Sequence, residues 1–274
     1  MDAFAAYLPF IAALVATGIV AGITAGLLGV GGGIVIVPAL SFVLTLLGYD
    51  PAAVMHVAVA TSLAVIVPTG FRSAQAHHRR GAVDFGILRL WGPFIVVASL
   101  AGGLMAGLYS SGTLRVIFGV TAILIALNIV LPVQKRLMGA FAATSWAHRI
   151  SASVIGYISA LMGIGGGSLS VPTLSVFGVP IHTAVGTASA LGVLLAIPGA
   201  IGFIVSGWLA EGRPPFSFGY VNLPALLVLG VVASLVAPAG AALAHRLPAR
   251  ALQTVFAVYL VVIGGRMLWQ SLAG

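Results

Sequence analysis

Three consecutive glycines, Gly31-Gly32-Gly33, stand inside the apolar stretch GLLGVGGGIVIVP, and three more, Gly165-Gly166-Gly167, stand inside GIGGGSLSVP. Glycine costs a helix about 1 kcal/mol against alanine at each interior position, so a run of three marks a place where a helix stops. A helix that restarts after such a break exposes its first N–H groups, and its dipole leaves partial positive charge beside them. That combination binds anions without any buried Arg or Lys. Glycine also lets a ligand approach the backbone closely. Ser168 follows the second run at once and adds a hydroxyl. The competing reading is close packing, because Gly22/Gly26, Gly29/Gly33 and Gly103/Gly107 have the small-xxx-small spacing that lets membrane helices touch.

A second constellation, H-x-A-V-[A/G]-T, also occurs twice, at His56 to Thr61 and His182 to Thr187. Ser62, Thr183 and Ser189 lie beside it. Hydroxyls and helix N-termini are suitable donors for an oxyanion. The same hydroxyls serve equally well as interhelical hydrogen bonds. The two histidines read either as site residues or as interfacial residues just before a helix begins.

The ionisable inventory limits the mechanism. The only acids are Asp2, Asp50, Asp84 and Glu211, all expected in loops or at the N-terminus. A cation site built on a buried carboxylate is therefore not expected. Proton coupling would have to use His56, His182 or the anion's own protonation. His77 and His78, in AHHRR, read as a solvated loop without the three or four ligands that a metal site needs. There is no cysteine, which removes disulfides and thiolate chemistry. No G-x-S-x-G, H-E-x-x-H or G-x-x-x-x-G-K-[ST] motif is present. Neither an enzyme nor a bound cofactor or metal is expected.

The elements that position these residues follow from composition. The 274-residue chain is 61% hydrophobic and only 6% charged, against about 25% charged in a soluble domain. Its surface must face lipid, which makes it an integral membrane protein. The net charge of +8 sits in short loops between apolar runs, as in membrane proteins, so nucleic acid is not an expected partner. The N-terminus MDAFAAYLPF lacks a basic region, and the first apolar run reads as a retained helix.

Apolar runs fall at 5–28, 34–48, 54–71, 86–109 and 113–131, then at 150–165, 168–178, 183–206, 220–243 and 249–270. The runs at 34–48 and 168–178 fall short of the roughly 20 residues that a spanning helix needs. They read as half-helices or re-entrant pieces. The two sets form an internal repeat. The glycine motifs align at an offset of 134 residues and the His-to-Thr motifs at 126. Further on, Phe85-Gly86 aligns with Phe218-Gly219 and Ser99-Leu100 with Ser234-Leu235. This gives a first repeat over 1–131, a linker over 132–149 and a second repeat over 150–274. Placing the basic loops in the cytoplasm puts nine of the twelve Lys/Arg inside. Equivalent loops then face opposite sides, which requires an inverted repeat with a cytoplasmic linker and both termini outside. The expected fold is an all-α integral membrane protein of two five-segment inverted repeats, about 8–10 membrane segments in all, with short or broken helices at the glycine motifs.

The sequence GLLGVGGGIVIVP, followed by AVATS, a basic loop with GAVDF, and GGLMAG, resembles the TauE/SafE sulfite exporter family. ALMGIGGGSLSVP and AVGTASA repeat the resemblance in the second half, so it covers the whole chain. It implies a secondary transporter of sulfite, sulfonates or similar small organosulfur or carboxylate anions in a bacterial inner membrane, commonly with about eight spans. It places the family's glycine motif on Gly29, Gly31, Gly32, Gly33 and Pro38 and on Gly163, Gly165, Gly166, Gly167 and Pro172. Its second motif falls on Ala60-Thr61-Ser62 and Gly186-Thr187. The second half shows no clean G-x-V-D, and GWLAEGRPPFSFG stands in its place. The expected partners are a small anion and the lipid bilayer, with a homodimer left open. Its expected mechanism is alternating access around the paired breaks. An anion channel of the same fold and a membrane assembly subunit are the alternatives.

Overall fold

Ten α-helices and one small hairpin make up the described part of the chain, residues 2–28, 32–131, 145–244 and 249–272 of a computed structural model. The first half holds α1 (Asp2–Leu28), α2 (Gly33–Leu46), α3 (Pro51–Arg79), α4 (Phe85–Met105) and α5 (Ser111–Val130). The second holds α6 (Ser145–Met162), α7 (Gly167–Val176), α8 (Ile181–Ser206), β1 (Ser217–Phe218), β2 (Val221–Asn222), α9 (Leu223–Ala244) and α10 (Ala249–Leu272). Gly31 and residues 132–144 of the linker lie outside the described residues, while 145–149 already belong to α6. Arg79 is still helical, so AHHRR is the end of α3 rather than a loop.

Local chemistry sets the helix boundaries. Asp50 caps α3 by accepting from the Ala52 N–H at 2.9 Å, ahead of Pro51 at the first helical position. Asp84 caps α4 through the N–H groups of Gly86 and Ile87, and Ser110 caps α5 through that of Thr113. Pro38 inside α2 removes the hydrogen bond to the carbonyl four residues back, that of Ile34. The Tyr259 hydroxyl donates to that carbonyl at 3.5 Å from α10.

Several hydroxyls share the apolar interior, and large apolar side chains also face outward. Thr61, Ser62, Ser99, Ser159, Ser170 and Thr187 are fully buried, while Leu227, Leu235, Val255 and Val262 are exposed along the outer faces of α9 and α10. Exposed apolar surface on this scale fits lipid and not water. Among the described residues, five helices are long and apolar enough to cross a membrane: α3, α4 with the turn that follows it, α5, α8 and the 254–272 part of α10.

Equivalent helices of the two halves meet in antiparallel pairs. Along α3 and α8, Ser73 meets Ser189, Gly70 meets Val193 and Leu63 meets Gly199. Along α5 and α10, the Ser271 hydroxyl donates to the Gly112 carbonyl, while Gly119 lies against Gly264 and Leu268. The other long helices pair across the halves, α1 with α9 and α4 with α6. Gly22 of α1 packs on the Ala233 carbonyl of α9, and Gly156 of α6 packs on the Ile95 carbonyl of α4. Gly240 of α9 faces the Ile23 carbonyl, and Gly102 of α4 faces that of Tyr157. The close-packing reading describes these positions, and Gly103 too, which lies against Gly199 and Gly202.

These pairs correct the alignment of α4 with α9. They match Ile95 with Ala233 and Gly102 with Gly240, an offset of 138 residues. Phe218-Gly219 sits in the hairpin ahead of α9, whereas Phe85-Gly86 opens α4, so those two pairs are not equivalent. At the corrected offset, Gly81-Ala82-Val83-Asp84 aligns with Gly219-Tyr220-Val221-Asn222. The second half therefore has its own copy of the motif, with Asn in place of Asp. Both copies start on a left-handed glycine, φ 68° and 57°, and both end on a helix cap, Asn222 accepting from the Ala225 N–H.

Candidate functional site

The two glycine breaks meet roughly midway along α3. Gly32 stands ahead of α2 with φ 74°, and no side chain caps this helix or α7 behind Gly166. Gly163 ends α6 in the left-handed conformation, φ 66°, with its N–H bonded to the Ala160 carbonyl and that of Ile164 to Ser159. A Cβ on Gly33 would strike the Gly163 carbonyl, and Ser62 of α3 donates to that same oxygen at 2.7 Å. Gly166 lies with its Cβ position 3.0 Å from the Gly192 nitrogen of α8. Gly32, Gly33, Gly165 and Gly166 are buried, and Gly167 half-buried. Each short helix then runs back along the first half of the long helix that follows it.

Three hydroxyls around the second break have no partner among the described residues: Ser159, Ser168 and Ser170. Ser159 and Ser170 are fully buried and Ser168 nearly so. Leaving a buried hydroxyl unmade costs about 1–3 kcal/mol, so such groups in a native structure call for an explanation. A polar ligand supplies one. Ser168 was legible from its place after the glycines. Ser170 repeats it two residues on in SLSVP, and Ser159 lies one turn before the break, inside an ordinary apolar run.

The threonines of the second constellation do something more specific. Thr61 accepts the Asn222 N–H at 3.0 Å, and Thr187 accepts the Asp84 N–H at 2.9 Å. Each half thus docks its extended G-x-V-[D/N] segment onto the long helix of the other half. Gly186 makes room for this, because a Cβ there would collide with the Ala82 carbonyl. On the opposite side, Gly207 makes room for the Tyr220 ring, and Arg213 braces the loop by donating to the carbonyls of Gly207 and Gly219.

The remaining predicted residues separate. His56 is buried, and its ring stacks on Tyr220 at 4.7 Å. Its Nδ1 lies 3.0 Å from the Ala52 carbonyl, and its Nε2 lies 3.1 and 3.0 Å from those of Ala106 and Tyr109. A neutral imidazole donates from one nitrogen only, whereas the protonated ring donates from both. His56 is therefore no headgroup anchor. His182 is exposed at the start of α8. Ser189 donates to the Val185 carbonyl and accepts from Ser73, which ties α8 to α3.

Uncapped helix starts, unpartnered hydroxyls and the absence of any carboxylate suit a small anion. Among the described residues no group of three or more His, Asp or Glu has metal-ligand proximity.

Comparison with known proteins identifies a membrane transporter family. The family model described as "Sulfite exporter TauE/SafE" matches residues 14–267. A probable membrane transporter protein of Haemophilus influenzae is 35% identical over 94% of this chain and 98% of its own. YunE of Bacillus subtilis, also named a probable membrane transporter protein, is 30% identical over 94% and 97%. A third, from Methanocaldococcus jannaschii, is 24% identical over 93% and 94%. No solved structure matches the chain.

Proposed function

Because the chain belongs to the TauE/SafE sulfite exporter family and is a multi-pass membrane transporter, we propose that it carries a small sulfur-containing or carboxylate anion by alternating access around the two glycine breaks. The observation that carries this reading is the junction itself. The uncapped start of α2 meets the left-handed turn at Gly163 that ends α6, the uncapped start of α7 follows that turn, and three buried hydroxyls that lack partners among the described residues lie around it. An anion there receives N–H and O–H donors and is met by no buried negative charge.

The two docked segments act as latches in this reading. Thr61–Asn222 closes the path on one side of the breaks and Thr187–Asp84 on the other. Both are formed here and the breaks are buried, as in an occluded state between outward- and inward-open forms. The antiparallel crossing of equivalent helices supports an inverted repeat. With the basic loops in the cytoplasm of a bacterial inner membrane, the 207–222 latch is the outer one and the 80–84 latch the inner one. His56, buried and stacked on Tyr220 of the outer latch, is a group able to carry a coupling proton.

A ligand that binds only the folded protein stabilises it by about 2.7 kcal/mol at a hundred times its Kd. Purified protein is expected to melt at higher temperature with one of sulfite, thiosulfate, an alkyl sulfonate or a short carboxylate. Ser168→Ala and Ser170→Ala should abolish that gain. Without ligand, these variants should melt no lower than wild type, since each removes an unpartnered hydroxyl worth roughly 1 kcal/mol. If none of these anions stabilises the wild type, or the variants respond as it does, the site is rejected. The lack of any carboxylate among the apolar runs favours a passive anion channel as the second reading. Flux at channel-like rates that ignores an imposed pH gradient would distinguish it.

A further inference from the structure

Three of the chain's twelve cations fall on the side opposite the basic loops: Arg115, Arg213 and Arg266. Arg213 is spent on the carbonyls of its own loop. The other two line one open cleft where the ends of three helices come together. Arg115 comes from the second turn of α5, Arg266 and Gln270 from the last turns of α10, and Ser41 and Thr45 from the second half of α2. The α5 and α10 ends are tied there by the Ser271 to Gly112 hydrogen bond.

The cleft is cationic without compensation. Neither guanidinium has an ion-pair or hydrogen-bond partner among the described residues. Of the four acids, Asp50 and Asp84 cap helices elsewhere, and none lines the cleft. The Arg266 guanidinium lies 4.4 Å from the centre of the Phe42 ring, a cation–π contact that holds it against α2 and uses none of its N–H donors. Ser41 and Thr45 donate their hydroxyl protons to α2's own carbonyls, those of Pro38 and Ser41. The donors left are therefore two planar guanidinium forks and one amide. Such forks match the oxygens of a tetrahedral oxyanion pairwise. Pro38, Ile263 and Met267 make the rest of the wall apolar.

We propose that this cleft is a second anion site, separate from the glycine junction, that holds a phosphate- or sulfonate-type oxyanion between Arg115 and Arg266. It does not rest on the transport reading, because binding is measured without flux. The oxyanion is either the headgroup of an anionic phospholipid, its chains along the apolar wall, or a free ion from the aqueous side. The site sits on the second half of α2, the helix whose first residues form the junction, so its occupancy would be felt there.

The full chain is purified into nanodiscs of phosphatidylcholine alone, or with one-third phosphatidylglycerol, and examined by native mass spectrometry for retained phosphatidylglycerol. In phosphatidylcholine alone, melting is followed against inorganic sulfate and phosphate. Two variants are compared with wild type. Arg115→Gln/Arg266→Gln removes the forks, and Thr45→Glu leaves both and adds a carboxylate at an exposed position that competes for them. At least tenfold less retained phosphatidylglycerol in both variants establishes a lipid headgroup site. Loss of a sulfate- or phosphate-dependent melting shift in both establishes a free-ion site. If both variants equal wild type in both arms, the proposal is wrong. Should the double variant fail to fold, Thr45→Glu alone decides it.

Discussion

Gly33→Ala is expected to slow anion transport in proteoliposomes by at least about fivefold while the protein still reaches the membrane. The added methyl would strike the Gly163 carbonyl, with Ile66 and Ser62 closing the other directions at 2.9 and 3.0 Å. The carbonyl cannot yield cheaply, because Gly163 is held by its left-handed turn and by the Ser62 hydrogen bond. Overpacking of this kind costs about 1–3 kcal/mol. If that cost falls on the geometry of the junction, it corresponds to roughly 5- to 150-fold in rate. Gly33→Val should remove the remainder. Gly230→Ala is the control, since nothing lies within 4 Å of a Cβ there and the position lies within α9. It should transport normally and melt slightly higher, helix propensity alone being worth up to about 1 kcal/mol. Wild-type flux in Gly33→Ala at equal membrane abundance would remove the junction from the mechanism.

Thr61→Val and Thr187→Val are expected to open the protein toward opposite sides. Valine keeps the shape of threonine and deletes the oxygen that accepts the Asn222 or Asp84 N–H. A buried N–H left without a partner costs about 1–3 kcal/mol. Asn222 is almost wholly buried, so the full cost applies at the Thr61 latch. In a two-state equilibrium the population of the unlatched form then rises roughly 5- to 150-fold. The absence of native cysteine makes this measurable. A single cysteine in place of Ser62, beside the junction, can be labelled with a membrane-impermeant thiol reagent applied from either face. Thr61→Val should speed labelling from the periplasmic face, and Thr187→Val from the cytoplasmic face. Acceleration from the same face in both variants, or in neither, would reject the latches.

Membrane residence and ten helical segments were readable along the chain, because each depends on local composition. Six per cent charge cannot clothe a soluble surface, and a triple glycine stops a helix wherever it stands. The segments at 34–48 and 168–178 are indeed the short helices α2 and α7. The glycines, Ser62 and Ser168 were identified from type and position, and the fold brings the two breaks together. The copy of G-x-V-D in the second half was missed, because Asn replaces Asp and GWLAEGRPPFSF precedes it without a counterpart. Equivalence there rests on helix caps and on which carbonyl each glycine meets, and neither is written in the linear spacing.

The sequence by itself determined where the backbone breaks and that the breaks come in pairs, since glycine's missing side chain acts at its own position whatever surrounds it. Only the tertiary structure decided what each hydroxyl does. Thr61 and Thr187 look like Ser168 and Ser170 in one dimension, yet the first two accept N–H groups from residues 161 and 103 positions away, and the last two are buried with no partner among the described residues. A hydroxyl's role is set by whichever donor or acceptor folding brings within about 3 Å of it, and that distance is fixed by the packing of the two halves against each other.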